Sequence, residues 1–371
     1  MHVQTLTLQN FRNFQSLDLK FNQGFVVLVG PNGAGKTNFL ESIYFGGGLG
    51  RFPETGLDQL FMPGERYFKI QITTQNTETT VHDVYCEQRE GKRVYRFMLN
   101  SQPVPRNKYL GLLPVVSFLP QDLNLLTRSP GNRRRYLDET LSPTSAEYRF
   151  ALGRYEGALR QRNELWQNIK LRKAAEEELE VWDDKLAEHG SVITTFRQKL
   201  FDYLDSHFSQ AVEAFSPELA QGKFVYQSSG YGGKPAFLEK VRAARARERQ
   251  IGSTVVGPHR DDFEIVLSGR SAVGFVSRGQ MRGFTLGLKI LERQYLSERL
   301  AVSPVVILDD VFSEFDQAHQ RRLIEFLKSL NQVFFTTTHL EEIKSFLPED
   351  AQIYNIDNGV ILERSTQGVE R

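Results

Sequence analysis

The sequence predicts an α/β fold, a mixed β-sheet lobe carrying an inserted helical domain. Three observations lead there. Short, continuous apolar runs at 25–29, 115–118, 305–308 and 333–335 read as strands buried on both faces. Between about 145 and 250 charge becomes dense and apolar residues recur every three or four positions, the period of amphipathic helices. The strand-like runs lie on both sides of that stretch. The lobe is therefore expected in two pieces, 1–145 and 251–371, around an insertion at 146–250.

Taken in order, Val3, Leu6, Leu8 and Phe11 are spaced for a half-buried strand, as are Leu17, Leu19 and Phe21. The run Phe25-Val26-Val27-Leu28-Val29 stops at Gly30, and from Thr37 the residues Phe39, Leu40 and Ile43 have helical spacing. Phe68, Ile70 and Ile72 alternate as in a strand. Tyr85, Val94, Tyr95 and Phe97 follow, with a hairpin turn expected at Gly91-Lys92. In the insertion, Leu152, Tyr155, Leu159, Trp166 and Ile169 mark one helix. Trp182, Leu186, Ile193, Phe196, Leu200, Tyr203 and Val212 mark a second, with the connection at 170–180. Two such helices form a hairpin or short antiparallel coiled coil.

Composition narrows the class. The chain has 371 residues, 40% of them hydrophobic and 25% charged, ordinary figures for a globular protein. Its net charge is +1, so nucleic-acid affinity must come from a local basic patch and not from an overall field. A single cysteine, Cys86, excludes a disulfide framework. No apolar run is long enough to span a bilayer, and the N-terminus lacks a signal-peptide core. The expectation is a cytoplasmic protein with no membrane partner.

The chemistry begins at Gly30-Pro31-Asn32-Gly33-Ala34-Gly35-Lys36-Thr37, placed after a buried strand and before a helix. That is a P-loop for ATP. Glycines 30, 33 and 35 let the backbone curl around phosphates with its amides turned inward. The helix that begins there, with Asn38 in its first turn, adds a favourable dipole. Lys36 can reach the β- and γ-phosphates, and the Thr37 hydroxyl can bind Mg²⁺. Asp309 ends an apolar strand, the position of a Walker B carboxylate that holds Mg²⁺, and Asp310 beside it can polarise the attacking water.

Ser277-Arg278-Gly279-Gln280, ahead of a helix at 281–296, resembles the signature motif of ABC- and SMC-type ATPases. There the serine and the glycine amide cap a γ-phosphate bound by a second subunit. The same serine also suits a plain helix cap. Ser313-Glu314-Phe315-Asp316 resembles the D-loop that follows Walker B, and His339 resembles the switch histidine after the next strand. Gln121, in Leu119-Pro120-Gln121-Asp122-Leu123, is a candidate Q-loop ligand of Mg²⁺ on position alone. Asp310, Lys36 and His339 are the candidate catalytic residues. The fold these motifs imply is an ABC/SMC-type ATPase head with a short coiled-coil-like insertion.

Longer runs narrow the likeness further. They are Leu8-Gln9-Asn10-Phe11-Arg12-Asn13-Phe14, Lys36-Thr37-Asn38-Phe39-Leu40-Glu41-Ser42-Ile43, Ser129-Pro130-Gly131-Asn132-Arg133-Arg134-Arg135, Gly257-Pro258-His259-Arg260-Asp261-Asp262 and Leu308-Asp309-Asp310-Val311-Phe312. On these the chain resembles the RecF family of bacterial recombination mediators over nearly its whole length. One departure is the run Gly46-Gly47-Gly48-Leu49-Gly50-Arg51-Phe52, where relatives carry Ser-Phe-Arg. The resemblance implies a weak, DNA-stimulated ATPase that dimerises with ATP on duplex, gapped or junction DNA. It also implies partnership with RecO and RecR in loading RecA.

Candidate DNA contacts are two arginine clusters, Arg133 to Arg135 and Arg242, Arg245, Arg247 and Arg249, or else these are solvated helix faces. The 257–262 run reads as a salt-bridged turn ahead of a metal site. A transporter ATPase subunit would place the two Walker motifs closer together and lack so large an insertion. A binding module that has lost hydrolysis would be told apart by an ATPase assay.

Overall fold

The computed structural model describes residues 1–49, 52, 56–213, 217–230, 232–315 and 317–366. The chain divides into two compact units, one of Met1–Leu123 with Thr285–Arg371 and one of Asn124–Phe284.

The first unit is built on a six-stranded sheet. Its order is Val360–Thr366, Gln352–Asp357, Gly24–Val29, Gln332–Thr337, Val305–Asp309, Val115–Phe118. All neighbours run parallel except the first pair. Strands 305–309, 332–337 and 115–118 are buried at every position, which is why the runs at 305–308 and 333–335 are continuously apolar and do not alternate. Because these strands are parallel, Val29, Phe118, Asp309 and Thr337 all emerge at one edge, where ligands bind in open α/β sheets.

A second, antiparallel sheet has the order Phe14–Lys20, His2–Phe11, Tyr67–Gln75, Thr79–Arg89, Lys92–Leu99, Gln102–Pro103. Here alternation is strict: along Tyr67–Gln75 every second residue is buried. The hairpin turn falls at Glu90 and Gly91, one residue earlier than expected. Both have positive φ (48° and 73°), as a type I′ turn requires. The helix Lys36–Gly46 joins residues of both sheets in one hydrophobic core. A Cβ at Gly46 would lie 2.3 Å from Ile72 Cδ1, so the helix end packs closely on the antiparallel sheet and a larger residue would have to displace the Ile72 side chain.

Two buried glutamines fasten the sheets. Gln332 accepts the Val3 amide at 2.7 Å and donates to Val3 O at 2.9 Å and Asn22 O at 3.0 Å, and Gln352 accepts the Asn22 amide at 2.6 Å. Val3 lies at a break in strand register, so the side-chain amide supplies the hydrogen bonds that the ladder leaves open.

The second unit contains the expected antiparallel helix pair, Ala146–Lys170 and Leu179–Glu213. The longer has 35 residues, about 50 Å at 1.5 Å per residue. The unit is wider than the 146–250 insertion read from the sequence. Helix Pro130–Leu141 precedes the pair, and a three-stranded sheet of Arg270–Ser271, Asp262–Leu267 and Lys223–Gln227 follows. The reason is pairing across distance: Arg133 in the first helix grips Asp262 at 2.5 and 2.8 Å, and the Tyr136 ring lies 6.4 Å from that of Phe263.

Candidate nucleotide site

The glycine loop follows strand Gly24–Val29, whose middle four residues are buried. Gly33 (φ 83°) and Gly35 (φ 112°) take left-handed conformations that a side chain would oppose. Gly30 is needed for space, since a Cβ there would stand 2.2 Å from the Ile356 carbonyl. Lys36 opens the helix with its side chain folded back over the loop, donating to Gly30 O at 2.6 Å and Pro31 O at 2.9 Å. Burial lowers the pKa of its ammonium, and the charges of Asp310 and Asp309 oppose that shift. Both carboxylates therefore lie within electrostatic reach of Lys36.

The Thr37 hydroxyl donates to Asp309 Oδ2 at 2.7 Å, which brings the two Walker positions into direct contact. The other oxygen, Asp309 Oδ1, accepts the Thr336 hydroxyl at 2.7 Å, and Thr336 Oγ1 accepts the Asp310 amide at 2.9 Å. Thr336 is wholly buried and was not singled out from sequence. Its signal is a run of three threonines, 336–338, closing the apolar run at 333–335, next to the Asp309 strand. Asp310 has left-handed φ (47°) at the strand end, and burial together with Asp309 raises the pKa of its carboxyl. Lys36 and His339 pull the other way, so His339 also acts on this carboxylate. The His339 side chain is exposed and its backbone amide is fixed by Thr337 Oγ1 at 3.0 Å. Gln121 lies three residues beyond strand Val115–Phe118, the direct neighbour of the Asp309 strand. Pro31, Asn32 and Gly33 are exposed, whereas Ala34 is buried. The Asn38 carboxamide is engaged by Asn13 Oδ1 at 2.8 Å.

Ser277, Gly279 and Gln280 belong to the other unit, at the start of the helix Arg278–Leu300. Ser277 Oγ accepts the Gln280 amide at 3.2 Å, and Gln280 Oε1 accepts the Ser277 amide at 2.9 Å, a reciprocal capping box. The cap uses Ser277 as an acceptor, so its hydroxyl hydrogen can still point outward from an exposed position. The helix starts at Arg278, three residues earlier than the sequence suggests. Of the D-loop-like run, Ser313, Glu314 and Phe315 follow Asp310 in a short turn, and Asp316 lies outside the described residues.

The arginine clusters are largely spoken for inside the second unit. Arg133 spends its guanidinium on Asp262 and on the carbonyls of Leu126 and Arg128. Arg134 donates to Asp261 O at 3.0 Å and Arg135 to Glu139 at 2.8 Å. Arg245 holds Asp183 at 2.6 Å, and Arg249 is paired with Glu176. The expectation that Arg133 to Arg135 form a DNA patch is corrected for Arg133, because a stretch of basic letters does not reveal which charges are paired. Arg247 remains exposed. The 257–262 run is a salt-bridged turn: Asp261, fully buried, accepts from Arg197 at 3.2 Å and from the Ser229 amide at 3.0 Å. His259 sits between Tyr155 Oη at 2.6 Å and Thr254 O at 3.1 Å, and burial pushes its pKa down to about 4. Among the described residues no three His, Cys, Asp or Glu side chains come together to hold a metal ion, at this turn or elsewhere.

A parallel sheet with a P-loop at its central strand, an Asp309–Thr37 contact and a lobe interrupted by a helical unit is the architecture of ABC/SMC-type ATPase heads. The Smc head of Pyrococcus furiosus, solved with the C-terminal domain of ScpA, shares this fold. Its TM-score is 0.54 at 16% identity over 99% of this chain and 97% of that one. The model of the RecF/RecN/SMC N terminal domain matches residues 2–361. DNA replication and repair protein RecF of Moorella thermoacetica is 34% identical over 97% of this chain and 96% of its own length. That of Heliobacterium modesticaldum is 35% identical over 99% and 100%. A solved structure of the recombination mediator protein RecF with ATPrS, in the RecFOR pathway, aligns with TM-score 0.87 and 28% identity over 97% of both chains. The chain belongs to the RecF family.

Proposed function

We propose that this protein is an ATPase that dimerises around ATP on DNA and serves recombinational repair and replication-fork maintenance. Its relatives carry the name DNA replication and repair protein, and RecF has been solved with ATP in the RecFOR pathway. The observation that carries the reading is the 2.7 Å bond from Thr37 to Asp309, residues 272 positions apart in the chain. A hydroxyl and a carboxylate meeting beside a glycine loop are the oxygen donors that Mg²⁺ takes in nucleotide sites. Thr37 and Asp309, with Gln121, would hold that ion, whose charge offsets that of the phosphates.

The chain's own residues supply the rest. Amides at 33–37 and Lys36 bind the phosphates. Asp310 takes a proton from the attacking water, and His339 tunes it. Ser277, left with a hydroxyl hydrogen by its capping box, donates to the γ-phosphate held by a second copy, so nucleotide joins two chains. Hydrolysis removes the shared group and the population shifts to open chains. DNA contact follows from paired exposed cations, which predicts weak sequence preference and steep salt dependence. RecO and RecR, with RecA loading, are the proposed partners on duplex, gapped or junction DNA. No described helix is long and apolar enough to cross a membrane, and the proposed location is the cytoplasm.

Sedimentation with a slowly hydrolysed ATP analogue tests this. Wild type should form a dimer only with the analogue. Ser277→Arg should bind the analogue as well as wild type and remain a monomer, and Lys36→Ala should lose the nucleotide itself. A Ser277→Arg protein that still dimerises would remove the shared γ-phosphate from the account.

A further inference from the structure

We propose that Asn13 is a positioning residue for the nucleotide loop, fixing the direction of the Gly35 amide before any phosphate arrives. The inference rests on the nucleotide-site reading above and adds to it a residue outside the loop. Asn13 lies in the tight turn between strands His2–Phe11 and Phe14–Lys20, where Phe11 pairs with Phe14. Its Nδ2 donates to the Ala34 carbonyl at 3.2 Å. The same carbonyl accepts the Gly359 amide at 2.8 Å, from the turn between strands Gln352–Asp357 and Val360–Thr366. Asn13 Oδ1 in turn accepts Asn38 Nδ2 at 2.8 Å, which ties the loop to the first turn of its helix.

The geometry has a consequence through the peptide bond itself. A trans peptide is planar, and its C=O and N–H point in opposite directions. Two donors on the Ala34 carbonyl therefore turn the Gly35 N–H to the opposite side, away from both hairpin turns. The Ala34 amide is also committed, to Pro31 O at 3.2 Å. What is held is an oriented donor, and an oriented donor binds an anion without reorganisation cost.

Two glycines mark how closely the parts fit. A Cβ at Gly35 would stand 2.5 Å from Asn13 Nδ2, and one at Gly359 would stand 2.3 Å from the Asn13 carbonyl. Asn358 and Gly359 both have positive φ (47° and 77°), the pairing of a type I′ turn that brings the Gly359 amide round to Ala34. The Asn13 turn is anchored from behind as well. Arg12 donates from Nε to the buried Glu41 carboxylate at 2.8 Å, and Glu41 belongs to the same helix as Asn38. The turn cannot drift without breaking the ion pair that partly buried Arg12 makes with buried Glu41.

Two variants separate orientation from simple packing. Asn13→Ala removes both hydrogen bonds. Asn13→Asp keeps size and the acceptor for Asn38 but cannot donate to Ala34 O. Binding of ATP and ADP, measured by calorimetry, should weaken about tenfold in both variants, the worth of roughly one oriented hydrogen bond. The loss should fall on KM, with kcat at saturating ATP within about threefold, since ground state and transition state lose the same contact. Hydrogen exchange of amides 33–36 in the nucleotide-free protein should accelerate in both. An Asn13→Asp protein that binds and exchanges like wild type would overturn the proposal. If wild type bound no ATP while exchange still responded, the nucleotide reading would fail and the clasp would stand.

Discussion

Replacing Asp310 by asparagine is expected to lower steady-state ATP turnover by about a hundredfold or more, the usual share of a positioned general base. Nucleotide should remain bound. Asparagine keeps the size of the side chain and its place at the strand end, while Thr37 and Asp309 remain joined at 2.7 Å. The argument for Asp310 over its neighbour is one of occupancy. Asp309 uses both oxygens, one on the Thr37 hydroxyl and one on the Thr336 hydroxyl. Asp310 instead feels Asp309, Lys36 and His339 as charges, and burial raises the pKa of its carboxyl above the usual carboxylate value. A base must be ionised to act. Wild-type kcat/KM, which reports the free enzyme, should thus fall on acidification through a pKa higher than that of an ordinary aspartate, and the asparagine variant should lack that limb. Phosphate release measured across the acid range checks both statements. An asparagine variant that keeps wild-type turnover would assign the base elsewhere.

How much of this was legible in the sequence depended on what each element needs from its residues. The P-loop was readable because its shape requires glycine at positions of positive φ, and 33 and 35 supply it. The place of Asp309 was readable because the unbroken apolar run at 305–308 stops there, at the end of its strand. Strands buried on both faces announced themselves as unbroken runs, but their order did not, since pairing between residues hundreds of positions apart leaves no local trace. Gln332, Gln352 and Thr336 were missed for a related reason. Each is a polar residue whose partner is a backbone or side-chain group on a distant part of the chain, so no neighbour in sequence reveals the bond.

Buried charges were the harder failure. Of the residues that mark the first long helix, Tyr155 and Trp166 lie in its buried stripe, which is Tyr148, Ala151, Tyr155, Ala158, Arg162, Leu165 and Trp166, whereas Leu152 and Leu159 are only half-buried. Arg162 sits seven residues from Tyr155 and four from Trp166, on the apolar face. A charged residue in phase with the core was a usable signal. The same holds for Arg197, four residues after Ile193, and Asp183, three before Leu186, all buried. Composition alone treats such residues as solvated surface, and it treated Arg133 in that way too.

Arg162→Met is the second substitution from which a large effect is expected, a loss of about 3–5 kcal/mol of stability in the second unit. The Arg162 side chain is completely inaccessible and spends its guanidinium on three partners. Nε donates to Asp183 at 2.7 Å, one terminal nitrogen to Glu248 at 2.7 Å and the other to Thr254 Oγ1 at 2.8 Å. Asp183 has a second cation in Arg245 at 2.6 Å. Glu248, with no exposed surface, keeps the Val255 amide at 2.8 Å and loses its buried arginine. The cost is the uncompensated carboxylate and not the intrinsic strength of the pair. Urea unfolding followed by tryptophan fluorescence measures it directly. The chain has two tryptophans, Trp166 and Trp182, both in this unit, and the guanidinium lies 5.9 Å from the Trp166 ring. The midpoint should fall with the slope unchanged. The double variant Arg162→Met with Glu248→Leu distinguishes the causes. If the unpaired charge sets the loss, removing it restores much of the stability even though another polar contact is gone. If packing around Trp166 sets it, the double variant is weaker still.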